Sequence, residues 1–290
     1  MLYPEGITAD GATGGFYVSS VIDGTIGKVD AQGNYRKWYV DSSLKSSFGM
    51  KLDEKKNLLW VCVGDPNYSK FKDSSTFKKM IRLIAIDINT GKKVNDIDLS
   101  GLYTGKHFAN DITLDDQGNK YITDSFSPVI YKIDNQDKAA VFAQHDLFKS
   151  LDIGLNGICW YPQGFLLVVN NSNGSILKVT TTSPVTISQV SINQFFPGAD
   201  GLLRMDNNEL ILVQNKSVNK VFKLSSKDEW KTAIVTGTTL MEDRFQQPST
   251  CTRKDDKLYA LNSKLNELQD ASIKPSEEFS IQLIQFKTIP

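Results

Sequence analysis

Residues 110–134 read NDITLDDQGNKYITDSFSPVIYKID. A polar Asn-Asp pair opens the stretch, and an alternating run (ITL) leads into a turn rich in Asp, Asn and Gly. A second apolar strand, a Ser-Pro break and a third strand ending in Lys-Ile-Asp follow. β-Branched and aromatic residues alternating with polar ones between turn formers are the pattern of short antiparallel strands. So many strands in so few residues leave no room for a helix.

The same grammar runs outward to both ends of the chain. Strand-like segments are GFYVSSV (15–21), TIGKVD (25–30), NLLWVCVG (57–64), IRLIAID (81–87), GFLLVVN (164–170), SILKVT (175–180), NELILVQN (208–215), KVFKLS (220–225), KLYALNS (257–263) and IQLIQF (281–286). Helical patterns are confined to short stretches near 227–231 and 265–272. Ahead of each strand group stands one kind of tripeptide: Glu5-Gly6-Ile7, Phe48-Gly49-Met50, Asn110-Asp111-Ile112, Asn156-Gly157-Ile158, Asp200-Gly201-Leu202 and Pro248-Ser249-Thr250. Their first positions are 43, 62, 46, 44 and 48 residues apart. A period in this range, with three or four strands per unit, predicts an all-β chain folded as one six-bladed β-propeller over 1–290, with blades starting near 4, 47, 109, 155, 199 and 247. A β-sandwich gives no reason for one tripeptide to recur at blade spacing. The long second interval holds DPNYSKFKDSSTFKKM (65–80), a polar loop between the second and third strands of blade two, either a lid over a site or a plain surface insertion.

Composition removes several classes of function. The 33 basic and 33 acidic residues cancel, so no positive field is available for nucleic acid or an anionic membrane. No apolar run approaches the length of a membrane span, and no membrane insertion is expected. Cys62, Cys159 and Cys251 lie far apart in apolar contexts without CxxC spacing, which predicts buried free thiols rather than a disulfide or zinc framework.

In a propeller the first strand of each blade lines the central channel. If the six tripeptides are equivalent, Glu5, Phe48, Asn110, Asn156, Asp200 and Pro248 converge on the axis. Four of these offer oxygen donors, two as carboxylates and two as amides. Carboxylates forced together without a counter-charge raise each other's pKa, so their convergence calls for a cation. An all-oxygen donor set suits Ca²⁺ first, with Mg²⁺ or Mn²⁺ as alternatives. Taken singly, each of these side chains could equally cap a turn or bond a neighbouring blade.

The segments YPEGITAD, FANDITLDDQGNKYITDSF, LNGICWYP and ADGLLRMD resemble the signature segments of the gluconolactonase/regucalcin (senescence marker protein) propellers, and more distantly those of paraoxonases and strictosidine synthases. The resemblance covers residues 4 to about 263. It implies that Glu5, Asn156 and Asp200 hold a divalent metal, that Asn110 contacts metal or substrate, and that Asp200 is the general base of a lactone hydrolysis. The chain also departs from the pattern. Gluconolactonase-type members carry an arginine where Phe108 stands, and paraoxonase-like members carry a catalytic histidine near the position of Phe48. Phe48 and Phe108 would form an apolar wall beside the ion, which favours an apolar substrate. The two histidines are His107, close enough to Asn110 to reach the channel mouth, and His145, a loop residue.

These readings lead to a metal-dependent hydrolase of a small-molecule lactone or other ester. The alternatives are a non-catalytic, metal-stabilised propeller that binds a ligand or protein partner, and a condensing enzyme of the strictosidine synthase kind. The sequence opens directly on blade one, and its last strand reads as the third of blade six. Either about 20–30 residues upstream supply a leader and the outermost strand, which would point to export, or blade six is incomplete.

Overall fold

The strand grammar closes into six antiparallel sheets in a computed structural model that describes residues 2–216 and 218–289. Blade one is β1 (Ile7–Asp10), β2 (Gly15–Val18), β3 (Ile26–Val29) and β4 (Tyr35–Tyr39). Blade two is β5 (Ser46–Asp53), β6 (Leu58–Gly64), β7 (Ile81–Asp87) and β8 (Lys93–Asp98). Blade three is β9 (Ala109–Leu114), β10 (Lys120–Asp124), β11 (Val129–Ile133) and β12 (Ala139–Gln144). Blade four is β13 (Leu155–Tyr161), β14 (Phe165–Asn170), β15 (Ile176–Thr180) and β16 (Ile187–Gln189). Blade five is β17 (Ala199–Arg204), β18 (Glu209–Gln214), β19 (Lys220–Ser225) and β20 (Ile234–Thr238). Blade six is β21 (Pro248–Lys254), β22 (Lys257–Asn262) and β23 (Ser280–Leu283). The last strand, β24 (Lys287–Thr288), leaves blade six and pairs with β20 as a fifth strand of blade five.

The innermost strands form the ring. β1 touches β5 and β21, and β5, β9, β13, β17 and β21 touch in succession. Apolar residues on facing blade surfaces fill the seams. The seam between blades two and three, for example, buries Trp60, Leu83, Ile112, Ile122 and Tyr131. The seam between blades six and one is the thinnest, with Ile7, Phe16, Val18 and Leu261 as its fully buried members.

The tripeptides sit at the seams. A Cβ on Gly6 would lie 2.1 Å from Phe48 O, and one on Gly157 would lie 2.1 Å from Asp200 O. Glycine is therefore what allows one inner strand to lie against the next. Where the middle residue is not glycine, its side chain makes the seam bond. Asp111 Oδ2 accepts from the Ile158 N–H at 3.1 Å, and the Ser249 hydroxyl donates to Glu5 O at 2.6 Å. The ladders of blades two to six also shift register at the tripeptide, as bulges do when they re-aim a side chain.

The short helical patterns resolve differently. Residues 265–268 form one 3₁₀ turn, Leu265–Leu268. Residues 227–231 are not helical, because Asp228 and Ser226 bind the local backbone instead: Asp228 Oδ1 accepts from Thr232 N and Ser226 Oγ from Trp230 N. The 65–80 loop is tied down. Ser69 Oγ donates to Lys45 O, Lys70 N to Ile22 O and Lys78 N to Asp65 O, each at 2.8 Å. Among the described residues no helix is long and apolar enough to cross a membrane.

Candidate metal centre on the channel axis

Glu5 precedes β1, and its N–H and that of Gly6 both donate to Ser19 Oγ at the end of β2, at 3.2 and 2.7 Å. That pair of bonds fixes the chain just before the first inner strand and aims Glu5 at the axis. Asn110, Asn156 and Asp200 reach the axis from the bulges of β9, β13 and β17. These four side chains, with Asp111, Gly49, Met50 and Thr250, line one cavity of about 20 Å³. That is room for one water-sized occupant.

The electrostatics are those of anions gathered without a counter-charge. Burial pushes the Glu5 carboxyl well above the usual range, and Asp200 and Asp111 push it further. Asp200 is raised by burial and by Asp111, against hydrogen bonds from Asn215 and Asn156. Asp111 is pushed up to about 6 by burial, moderated by the Ile112 and Ile158 N–H groups and by Lys51. Asn215 Nδ2 donates to Asp200 Oδ2.

Two buried oxygens in this cluster, Glu5 Oε2 and Asn110 Oδ1, have no hydrogen-bond partner among the described residues. Buried polar atoms are nearly always satisfied, so two orphans facing one cavity are a strong departure. An all-oxygen set with two orphaned atoms around a water-sized space fits a hard divalent cation. Among the described residues no group of three or more His, Cys, Asp or Glu side chains has metal-holding geometry. Half of the donors here are amides.

The remaining predicted positions separate into two groups. Phe48 and Phe108 do come together, with ring centroids 4.6 Å apart, and Tyr68 and Phe126 pack edge-on against them. Neither phenylalanine lines the small cavity; both are buried in the adjoining aromatic cluster. Pro248 does not reach the cavity, and Thr250 does. His107 does not line it either: its Nδ1 lies 2.7 Å from Asp124 Oδ2, where Asp124 also accepts from Tyr131 Oη and from the Phe108 and Phe126 N–H groups. His145 caps a 3₁₀ turn by accepting from Leu147 N. The three cysteines are free and buried.

Three residues near the centre escaped sequence reasoning. Asp111 stood in the middle of a tripeptide whose first position drew attention. Asn215 has a counterpart in Asn171, which donates to Ala199 O at 2.9 Å; an asparagine just past the second strand of both blades, VVNN and LVQN, was a readable signal. Tyr68 comes from the blade-two loop. Burial pushes its hydroxyl up to about 12, and the Asp200 and Glu5 carboxylates add to the shift.

The sequence matches no known family profile and no curated protein. Its fold, however, is shared with many solved structures. The major allergen Mala s 1 of Malassezia sympodialis is 15% identical, with a TM-score of 0.74 over 92% of this chain and 89% of that one. A luciferin-regenerating enzyme is 15% identical at TM-score 0.65, over 99% of this chain and 91% of its own. A structural-genomics target provisionally assigned as a gluconolactonase is 15% identical at TM-score 0.63, over 100% and 91%. At such identities the likeness defines the class of fold, a six-bladed β-propeller.

Proposed function

We propose that this propeller is a divalent-cation-dependent hydrolase of the gluconolactonase-like kind, acting on a lactone or other ester with an apolar body. The observation that supports it is the convergence of Glu5, Asn110, Asn156 and Asp200 on one water-sized cavity with Glu5 Oε2 and Asn110 Oδ1 unpartnered. These four residues would hold the ion, Ca²⁺ by preference. When bound, such an ion supplies Lewis-acid polarisation of a carbonyl and a more acidic water. Asp200 takes the proton of the attacking water, oriented for that role by the amides of Asn215 and Asn156. Phe48 and Phe108 are buried off this cavity, so of the three rings Phe48, Phe108 and Tyr68 only the half-buried Tyr68 is open to a substrate's apolar portion.

A lactone and aryl-ester panel tests this reading. Turnover should require added cation, vanish in chelator and be lost in Asp200→Ala; hydrolysis retained in chelator contradicts it. The small size of the cavity favours a second reading, in which the ion only braces the ring and the protein binds without catalysis. On that reading chelation lowers Tm while no ester or lactone turns over.

A further inference from the structure

The antiparallel blades send their connections to two faces of the propeller. The turns after the first and third strand of each blade lie on one face. The turns after each second strand, and the links from each outer strand to the next inner one, lie on the other. That second face is where the inner strands begin and where Glu5, Asn110, Asn156 and Asp200 gather. Exposed large apolar side chains divide unequally between the two. Of the fifteen among the described residues, five stand on or beside edge strands. Nine stand in connections of the metal-centre face, and one, Val185, stands on the opposite face.

The nine do not form one patch. Val40 lies between blades one and two, Leu151 between three and four, Phe195 between four and five, and Met241 between five and six. Leu151 is fully exposed, and Val40, Phe195 and Met241 are 65%, 60% and 81% exposed. None of the four packs into the apolar clusters of the blades. In the blade-two loop lysines accompany the apolar tips: Lys70 Nζ lies 4.9 Å from the ring centre of Phe71, and Lys78 Nζ 5.3 Å from that of Phe77.

We propose that the metal-centre face docks on a neutral lipid surface of zwitterionic headgroups, with these loop tips entering between the lipids. Tips carried by the links of four different blade pairs stand around the ring rather than together. A protein partner would need a footprint as wide as the propeller to cover them, whereas a lipid surface meets them all at once. Aromatic rings with ammonium groups beside them suit the boundary, where the ring lies at headgroup depth and the ammonium reaches the phosphates. The connections of this face carry eleven basic and twelve acidic residues, so no field draws it to anionic lipid and apolar burial supplies the attraction. The contact is made by side-chain tips and requires no spanning segment. Docking would hold the ion cavity toward the lipid, where an apolar ester dissolves; the contact itself does not depend on the hydrolase reading.

Flotation of the 290-residue chain with phosphatidylcholine vesicles tests this. The wild type should float with the vesicles equally in chelator and in Ca²⁺, and equally in low and high salt. Leu151→Ser, Phe195→Ser and Met241→Ser combined should lower the partition coefficient by about tenfold or more, because partition scales with the apolar area buried. Tm of that variant should be unchanged, since the three side chains pack against no core, and Val185→Ser should partition like the wild type. The added indole of Leu151→Trp should be quenched by lipids brominated in their acyl chains, and that of Val185→Trp should not. A wild type that stays with the soluble fraction, equal partition of the triple variant, or binding confined to anionic vesicles and lost in high salt would each overturn the proposal. So would a wild-type mass above that of one chain which the triple variant abolishes, because the tips would then belong to a contact with a second copy.

Discussion

The Ile158 N–H donates to Asp111 Oδ2 at 3.1 Å across the seam between blades three and four, while the other oxygen of the same carboxylate accepts from Ile112 N at 2.8 Å. One side chain thus fastens two inner strands and adds negative charge beside Asp200 and Glu5. Asp111→Ala should cost about 1–3 kcal/mol by leaving a buried N–H unpaired, visible as a lower Tm. It should also ease the crowding of the other carboxylates. An unchanged Tm would mean that the seam is held elsewhere.

Sterics at the neighbouring seam are stricter. Gly157→Ala would force a Cβ to within 2.1 Å of Asp200 O, so loss of the folded protein in expression trials or a drop of several kcal/mol in denaturant unfolding is expected. Gly101→Ala, with nothing within 4 Å of its Cβ, serves as the control and should stay within about 0.5 kcal/mol of wild type.

The raised carboxyls set a pH dependence for the cation-free protein. Asp111 is near 6 in the folded state, against about 4 unfolded, so the native state binds more protons in that interval and stability falls as pH rises through it. Glu5 and Asp200, raised in the same direction, extend the loss to higher pH. In chelator, Tm should therefore decline from about pH 4 upward. Added Ca²⁺ should restore it, most at the alkaline end, where protons no longer compete for the oxygens. A Tm in chelator that climbs over the same interval would show that these groups are not crowded.

Asn215 makes no contribution to the ring seams comparable to Asp111, yet it holds Asp200 directly. Asn215→Ala should lower kcat/KM on any ester substrate by about tenfold or more, as loss of a hydrogen bond to a charged group does, with less effect on Tm. Equal kcat/KM in the two proteins would remove Asn215 from the positioning of Asp200.

The blade repeat was legible because inner and middle strands are buried on both faces and so are rich in Val, Ile, Leu and Tyr at fixed spacing. Outer strands were harder to read. β4, for instance, reads Tyr-Arg-Lys-Trp-Tyr with three exposed residues, and β16 is only Ile-Ser-Gln. The pairing of β24 with blade five could not be read from two residues. For the centre, register alone brought Glu5, Asn110, Asn156 and Asp200 together. It could not place Phe48, because the bulge that aims polar side chains at the axis leaves Gly49 and Met50 at the cavity and turns the ring into the aromatic cluster. His107 stood close enough to Asn110 in sequence to reach the channel mouth; its partner Asp124, which fixes it away from the cavity, lies on the next strand and only folding reveals the pair.

A calorimetric titration of the chelator-stripped protein with Ca²⁺, repeated on Glu5→Gln and Asp200→Asn, addresses the metal centre most directly. One ion per chain is expected in the wild type, with binding weakened at least tenfold or lost in each variant. Absence of binding by the wild type to Ca²⁺, Mg²⁺ and Mn²⁺ alike, or undiminished binding in both variants, would contradict a cation on the propeller axis.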